Sequence, residues 1–399
     1  MLRANNPGFR EGITHTCGPI ACVGPTAGPG APASKLQQLT VSIIIKALNE
    51  EEHIAAAIQS ALAALREIDG EIILADGGSS DRTIDIARRY PIGIVQLNRP
   101  EDRSCGSGAQ LGFQYSRGRY LLLMDGDMRL HPGFLPVAIE TLARSPTLAG
   151  VGGVVCEPVE MTEEYQQRRK RHNPDRRAGR VTRLDGCGLY RRAAIESIGY
   201  LTDRNLHAAE ELDLGARLHS ASWTLIKLDR TMVYHEPHKA GAYRLLLRHV
   251  FSRRACAVGE LIRAATSKPH FWFILRHNRQ WLVCLLVTGW WIALLATVPF
   301  LPGSLSMLVA GAILLLPFAG MSLRWRSFRL GLYSVTGWNA VALCFWPGWW
   351  RPRIPPANWI ESTVLQFPQL DEDRPVQQPR PESICRSSKE LCGSERPET

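Results

Sequence analysis

Short apolar runs alternate with amphipathic stretches along residues 41–235. The runs lie at residues 41–45, 71–75, 93–97 and 120–124, and a further strand is predicted at 224–234. The run at 41–45 is rich in β-branched residues, which is typical of a buried strand in a parallel sheet. The stretches between the first four runs predict helices at about 54–65, from about 83, and at about 109–116. This alternation predicts an α/β fold built on a parallel sheet.

Three longer apolar runs follow, at residues 281–301, 305–323 and 330–350. About 20 apolar residues are enough for a helix to span a bilayer, so we expect two to three transmembrane helices. The third run is weaker because it contains Asn339 and several glycines. The basic loop 324–329 should face the cytoplasm, which predicts a multi-pass protein with a cytoplasmic catalytic domain. A buried helical hairpin of a soluble protein is the alternative.

The pattern divides the chain into five parts. Residues 1–40 carry no secretory signal and are predicted to be a disordered leader. Residues 41–240 form the α/β domain, and residues 241–280, rich in Arg, Leu and Phe, predict amphipathic interfacial helices. Residues 281–350 hold the transmembrane helices. Residues 351–399 are rich in Pro, Gln and Ser and predict a disordered tail.

Charge and cysteine content restrict the partners. The 399 residues carry a formal net charge of +10, which suits an anionic partner. The basic stretch 167–183 lacks interleaved aromatic residues, so we expect it to meet lipid phosphates or headgroups and not nucleic acid. The ten cysteines form no CxxC pair, which argues against a zinc site.

Acidic residues follow several of the predicted strands. Glu50, Asp76, Asp125 and Asp127 all lie just after one, and the carboxyl ends of parallel strands meet at one edge of a sheet, where ligands bind. Asn49 is a plausible cap for the first helix. The Asp125-Gly126-Asp127 pattern supplies hard oxygen ligands that suit Mg²⁺ or Mn²⁺ with a bound diphosphate. By itself this pattern also fits a simple turn.

Five segments occur in an order that resembles the inverting family 2 glycosyltransferases of GT-A fold. They are the opening strand with Asn49-Glu50, residues 74–83 around Asp76, residues 117–127 ending on the Asp-Gly-Asp motif, residues 185–192, and residues 209–217. The resemblance runs from residue 41 to about 235, roughly half of the chain. It implies a GT-A, Rossmann-like domain followed by C-terminal transmembrane helices.

The resemblance implies a donor site and a metal site. The residues that would bind a nucleotide-sugar donor are Asn49, Glu50, Asp76, Arg103, Gln110 and Asp125. Gln110 departs from the family, which often has Asn there, and the loop 103–110 could line the diphosphate with its backbone N–H groups. Asp125, Asp127 and His235 would hold Mg²⁺ or Mn²⁺, with His238 as the alternative to His235.

The resemblance also implies how an acceptor would react. Glu211 stands where the family usually has the aspartate of a Glu-Asp pair, so it would be the general base, with Glu210 as the fallback. Gly188, Arg191 and Arg192 would lie on the acceptor or phosphate side. The family's processive synthases carry a Gln-x-x-Arg-Trp motif that this chain lacks.

These observations predict inverting transfer of a sugar from a nucleotide-sugar to a lipid-linked or membrane-proximal hydroxyl, in the synthesis of a cell-envelope glycan or exopolysaccharide. Two alternatives stay open. The acceptor could be a polyprenyl phosphate, which needs no base, or the chain could be a non-catalytic membrane scaffold with a degenerate domain.

Overall fold

A mixed ten-stranded sheet forms the centre of the computed structural model, which describes residues 39–156, 177–236, 241–300 and 303–367. Its strands are β1 (Val41–Ala47), β2 (Gly70–Asp76), β3 (Gly93–Leu97), β4 (Tyr120–Asp125), β5 (Met128–Leu130), β6 (Leu148–Cys156), β7 (Gly179–Val181), β8 (Gly188–Arg191), β9 (Thr224–His235) and β10 (Ser362–Gln366). Their order is β10-β3-β2-β1-β4-β8-β6-β9-β5, and β7 pairs with β9. The pairs among β1 to β4 are parallel, as expected, but β10, β8, β5 and β7 run antiparallel to their neighbours.

Helices cover both faces of the sheet. They are α1 (Ile54–Ala64), α2 (Thr83–Ala87), α3 (Cys105–Tyr115), α4 (Phe134–Arg144), α5 (Arg192–Ser197) and α6 (Glu210–Ser220). Alternate side chains of β1 point to opposite faces. Ile43 and Ile45 pack with α1 and α4, whereas Ile44 packs with α3 and α6, and all three are fully buried. Each contributes about 1.5 to 3 kcal/mol through burial.

One predicted helix cap and one predicted helix start are wrong. Asn49 does not cap the first helix: it has a left-handed backbone, with φ of 58°, and α1 begins only at Ile54. The second error is at α3, which begins at Cys105 and not near residue 109, so most of the expected loop 103–110 is helical. The Ser104 side chain accepts a hydrogen bond from the Ser107 backbone N–H and caps this earlier turn.

Helices continue after the sheet. Three short ones are α7 (Ala242–Phe251), α8 (Ala257–Ala265) and α9 (Phe271–His277), and three long ones are α10 (Gln280–Phe300), α11 (Gly303–Trp325) and α12 (Phe328–Trp350). Among the described residues, α11 is the one helix that is long and apolar enough to cross a membrane. A second candidate arises if α9 and the first part of α10, bent by 73°, are counted as one broken span.

The helices at residues 241–280 do not all lie at a surface as expected. In α8, Leu261 and Ala265 pack on α6, while Val258 and Ile262 pack on α10 and α12. This helix therefore joins the α/β domain to the long apolar helices. By contrast, α7 exposes Tyr243, Leu247 and Phe251, which are spaced four residues apart on one face.

The expectation of a disordered tail is wrong for residues 351–367, which we call the return segment. This segment runs back to the domain and ends in β10, which pairs antiparallel with β3 at the edge of the sheet. Arg204 donates to the carbonyl oxygens of Asn358 and Trp359, and the Trp359 ring packs edge-on against Tyr115. Local composition did not reveal the order of this segment, because the segment is held by the backbone of β3, an edge strand that would otherwise be unpaired. The predicted leader up to residue 38 and the tail from residue 368 lie outside the described residues.

Candidate active site

The strand ends place the predicted acidic residues along one edge of the sheet. In the parallel register of β1 with β2, Ala47 lies opposite Asp76, and in the register of β1 with β4, Lys46 lies opposite Asp125. The backbone N–H of Gly126 bonds to the Lys46 carbonyl oxygen, which continues the ladder into the Asp-Gly-Asp motif. The sheet therefore brings Glu50, Asp76 and the motif to a common edge, as the sequence predicts.

Three predicted donor-binding residues hold one loop, residues 77–80. The buried Asp76 carboxylate accepts bonds from the backbone N–H groups of Gly78 and Ser79, and from the Gln96 amide at 2.9 Å. The Asn49 side chain accepts from the Ser80 N–H at 2.8 Å. Arg103 donates to the carbonyl oxygens of Gly77 and Gly78, at 2.7 and 2.9 Å. These groups shape the loop, and their contact with a donor remains a prediction.

The carboxylates beyond the strand ends repel each other. The half-buried Glu50 has a pKa raised from an ordinary 4.5 to about 8, first by burial and then by the negative charges of Asp127 and Asp125. The positive charge of Arg248 on α7 opposes this rise. A bound cation would relieve the same repulsion, since it favours the ionised form of each carboxylate.

Lys46 lies between the Asp-Gly-Asp motif and the helix of the predicted base. Its ammonium nitrogen is 2.9 Å from Oδ1 of Asp125 and 3.4 Å from Oε1 of Glu210. Burial alone would lower the lysine's pKa, yet the charges of Asp125, Glu210 and Glu211 raise it well above 10.5. Lys46 is therefore a permanent cation inside an acidic cluster. Sequence reasoning missed it because its partners lie 79 and 164 residues away along the chain.

Glu211 faces a narrow cleft together with Lys46, Glu210 and Gly188. It belongs to the first turn of α6, which Ala209 opens with a left-handed backbone, φ of 64°. Burial, and then the neighbouring Glu210 charge, raise the pKa of Glu211 from 4.5 to about 8. A carboxylate with a pKa near the working pH is well suited to accept a proton and later release it.

Asp127 and His235 come together at the proposed metal position. Met128 pairs with His235 in the register of β5 with β9, and the distance from Nε2 of His235 to Oδ2 of Asp127 is 3.3 Å. Within the described ranges, no group of three His, Cys, Asp or Glu side chains lies close enough to hold a metal ion. Mg²⁺ sites often use only one or two carboxylates, with substrate phosphates completing the shell, so this pair fits such a site. The alternative ligand, His238, lies outside the described residues.

The structure contradicts two of the predicted positions on the acceptor side. Arg191 lies opposite Tyr120 at the start of β4, about 16 Å from Asp125 at about 3.3 Å per residue. Its guanidinium donates to the carbonyl oxygens of Leu142, Leu148 and Ser145. The next residue, Arg192, donates to the carbonyl oxygen of Gly118 and to the Ser116 hydroxyl. Both arginines therefore pin loops at the far end of the sheet.

Gly188 and Gln110 have different outcomes. Gly188 lies opposite Leu123 near the site end of β4 and lines the cleft, and its predicted contact with an acceptor or phosphate stays a prediction. Gln110 is buried on α3, where its Oε1 accepts from the backbone N–H groups of Leu201 and Thr202 at 2.9 and 3.2 Å. This carbonyl oxygen holds the loop before α6, and the geometry favours that role over the predicted donor contact.

Two arginines within residues 241–280 place positive charge near the acidic residues of the site. The sequence suggested only headgroup contacts for that region. Arg248 lowers the pKa of Glu50 through its charge. The pKa of the Arg254 guanidinium is raised, first by Cys105 and then by Asp125 and Glu210. The basic stretch that was also expected to meet phosphates lies outside the described residues up to position 176.

Comparisons with known proteins agree with this geometry. Residues 42–199 match the family model described as Glycosyl transferase family 2. A dodecaprenyl-phosphate galacturonate synthase of Rhizobium johnstonii is 31% identical over 130 residues, which cover 31% of this chain and 37% of that protein. An undecaprenyl-phosphate 4-deoxy-4-formamido-L-arabinose transferase of Pectobacterium carotovorum is 36% identical over 118 residues, 28% of this chain and 36% of that protein. The chain thus matches about a third of the length of these curated relatives.

A solved structure supports the fold. The mannosyltransferase PcManGT from Pyrobaculum calidifontis, in complex with GDP-Man and Mn²⁺, matches with a TM-score of 0.51 at 17% identity, over 78% of this chain and 88% of that chain. The mixed α/β sheet is accordingly that of the GT-A fold. The family match over residues 42–199, the fold and the order of the motifs agree, and these residues are similar to a family 2 glycosyltransferase domain.

Proposed function

We propose that this protein transfers a sugar from a nucleotide-sugar to a lipid-linked or membrane-proximal hydroxyl, with inversion at the anomeric carbon. The observation that carries the proposal is the cleft in which Glu211, with a pKa near 8, lies beside the Lys46–Asp125 pair and Gly188. A donor at the strand ends would bring its anomeric carbon toward this carboxylate.

The reaction follows from the roles of the chain's own groups. Glu211 accepts the proton of the acceptor hydroxyl, whose oxygen forms the new bond to the anomeric carbon while the bond from that carbon to the diphosphate oxygen breaks. Asp127 and His235 would hold Mg²⁺ or Mn²⁺, which, when bound, neutralises charge on the leaving diphosphate. Arg254 adds a fixed cation whose charge acts on Asp125 and Glu210.

Contact with the membrane is part of the proposal. The side chains of α11 are exposed along its length, for example Met307, Leu308, Leu316 and Leu323, each more than 70% exposed. Apolar exposure of this extent is typical of a surface that meets lipid and not of a soluble hairpin's core. We infer a membrane protein with up to three spans, a cytoplasmic catalytic domain, and α7 in the interface.

Transfer to a polyprenyl phosphate is the second candidate. Both relatives described above carry a polyprenyl phosphate in their names. The exposed Arg248 and Arg254 follow the sheet in the chain, and their charges reach Glu50, Asp125 and Glu210, so a phosphate at the membrane surface could meet them there. Such an acceptor is already ionised and needs no base.

The test compares Glu211→Gln and Asp127→Asn in full-length protein in bilayer nanodiscs, supplied with a panel of nucleotide-sugars, Mn²⁺ and membrane lipid extract. If the acceptor is a hydroxyl, both variants should lose transfer activity. The exposed Glu140→Gln control should keep it. Full turnover by Glu211→Gln together with loss in Asp127→Asn would establish the phosphate acceptor instead. If no nucleotide-sugar of the panel binds or is hydrolysed, the protein is a non-catalytic membrane scaffold.

A further inference from the structure

Lys46 is the cation that lines the cleft, and the proposed reaction assigns it no step. It lies one residue before the end of β1, and its side chain is 13% exposed. A buried lysine next to a site for an anionic donor could simply attract phosphate. However, its ammonium group already contacts one carboxylate on each side, Asp125 at 2.9 Å and Glu210 at 3.4 Å.

Through Lys46, the two contacts link β4 to α6, which are not paired with each other. Asp125 ends β4 and belongs to the donor motif, whereas Glu210 begins α6, next to the predicted base. α6 packs on the sheet through Leu214 and Leu218, further along the helix. The Lys46 bridge is therefore a polar link at the N-terminal end of α6.

We propose that Lys46 is a positioning residue for the transfer reaction: it ties the donor motif to the base-bearing turn of α6 and sets the charge around Glu211. This inference rests on the proposed function, with Glu211 as the base. It assigns Lys46 no contact with the reacting atoms.

The electrostatic part of the argument depends on every charged or titratable group near Glu211. These groups are Glu210 on the same helix, Lys46 on β1, Asp125 on β4, Cys105 on α3, Cys187 and Tyr190 at β8, and Arg254, whose charge acts on Glu210, Asp125 and Cys105. Lys46 is the cation among them that lowers the pKa of Glu211, and it opposes burial and the Glu210 charge. Removing this cation should therefore leave the base protonated up to a higher pH.

The experiment measures the pH dependence of kcat/KM for donor hydrolysis, in which water is the acceptor. Wild type, Lys46→Met and Lys46→Arg are compared, with Lys268→Met, an exposed lysine outside the cleft, as the matched control. We expect Lys46→Met to move the rising midpoint upward by about one pH unit or more, the usual effect of losing an opposite charge at this range. Lys46→Arg keeps the charge, so its midpoint should stay in place while kcat falls because the bridge geometry changes.

Two further variants keep the test decisive. If Lys46→Met does not fold by itself, it is combined with Glu210→Gln, so that the two opposite charges are removed together. The shift in the midpoint is then measured between this double variant and Glu210→Gln alone. A midpoint that does not move on loss of the lysine overturns the proposal, as does an equal shift in Lys46→Arg. If Glu211→Gln hydrolyses the donor as fast as wild type, the proposed base fails. If Glu211→Gln is inactive but the Lys46→Met profile overlays wild type, only the inference about Lys46 fails.

Discussion

Replacing Glu211 with Gln should abolish transfer to a hydroxyl and at the same time stabilise the folded protein at alkaline pH. A base in a buried cleft must ionise there, and this ionisation lowers the free energy of unfolding of the protein. The raised pKa means that folded protein binds more protons than unfolded protein between about pH 4.5 and pH 8. The wild type therefore loses stability as the pH rises through this window.

The size of the effect follows from the two pKa values. At about 1.4 kcal/mol per pKa unit, the rise from 4.5 to about 8 corresponds to at most about 5 kcal/mol. Glu211 is half-buried, so water screens part of this cost, and we expect a net gain of about 2 kcal/mol for Glu211→Gln at pH 8.5. Glutamine cannot ionise, so the gain should shrink to nearly zero at pH 4.5.

Thermal unfolding of ligand-free protein, with EDTA present, measures this directly at both pH values. Glu140→Gln is the matched control because Glu140 is exposed and pairs only with the neighbouring Arg144 on α4. Its unfolding temperature should stay within the small range typical of surface substitutions. An unfolding temperature for Glu211→Gln at or below that of wild type at pH 8.5, or an equal gain at pH 4.5, would refute the reasoning.

Two other predictions concern the metal pair and the buried amide. Asp127→Asn should weaken Mn²⁺-dependent binding of a nucleoside diphosphate about tenfold or more, about 1.4 kcal/mol, in isothermal titration calorimetry; an unchanged Kd would exclude Asp127 as a ligand. Gln110→Leu should destabilise the fold by about 2 kcal/mol or more, because it leaves the N–H groups of Leu201 and Thr202 without their acceptor. Thermal denaturation checks this against Gln59→Leu, an exposed glutamine whose loss should cost little.

The sequence predicted the parts of the molecule that depend on local pattern. The first four strands have continuous apolar runs because both of their faces are covered, so their positions and their shared edge could be read directly. The Asp-Gly-Asp motif and Glu211 also kept their expected places relative to that edge.

Features that depend on distant partners could not be predicted in this way. Arg191 and Arg192 follow Gly188 closely in sequence, but β8 runs antiparallel to β4, so three residues along β8 lead away from the site. The position of Gln110 in the sequence suggested contact with the donor, yet its side-chain oxygen bonds the backbone of Leu201, 91 residues away. The return segment, too, is ordered by the backbone of β3 and by Arg204, and not by its own composition.

The return segment also imposes an order on the assembly of the protein. The edge of the catalytic sheet is completed by β10, which is synthesised only after the three long apolar helices. During translation, β3 therefore stays open until residue 366 has left the ribosome, by which time the apolar helices have already been made. A nascent chain with an unprotected edge strand is prone to pair with other chains, and here the edge stays unprotected while the long apolar helices are made. For the same reason, a fragment cut just before α10 would lack a strand of its own catalytic sheet.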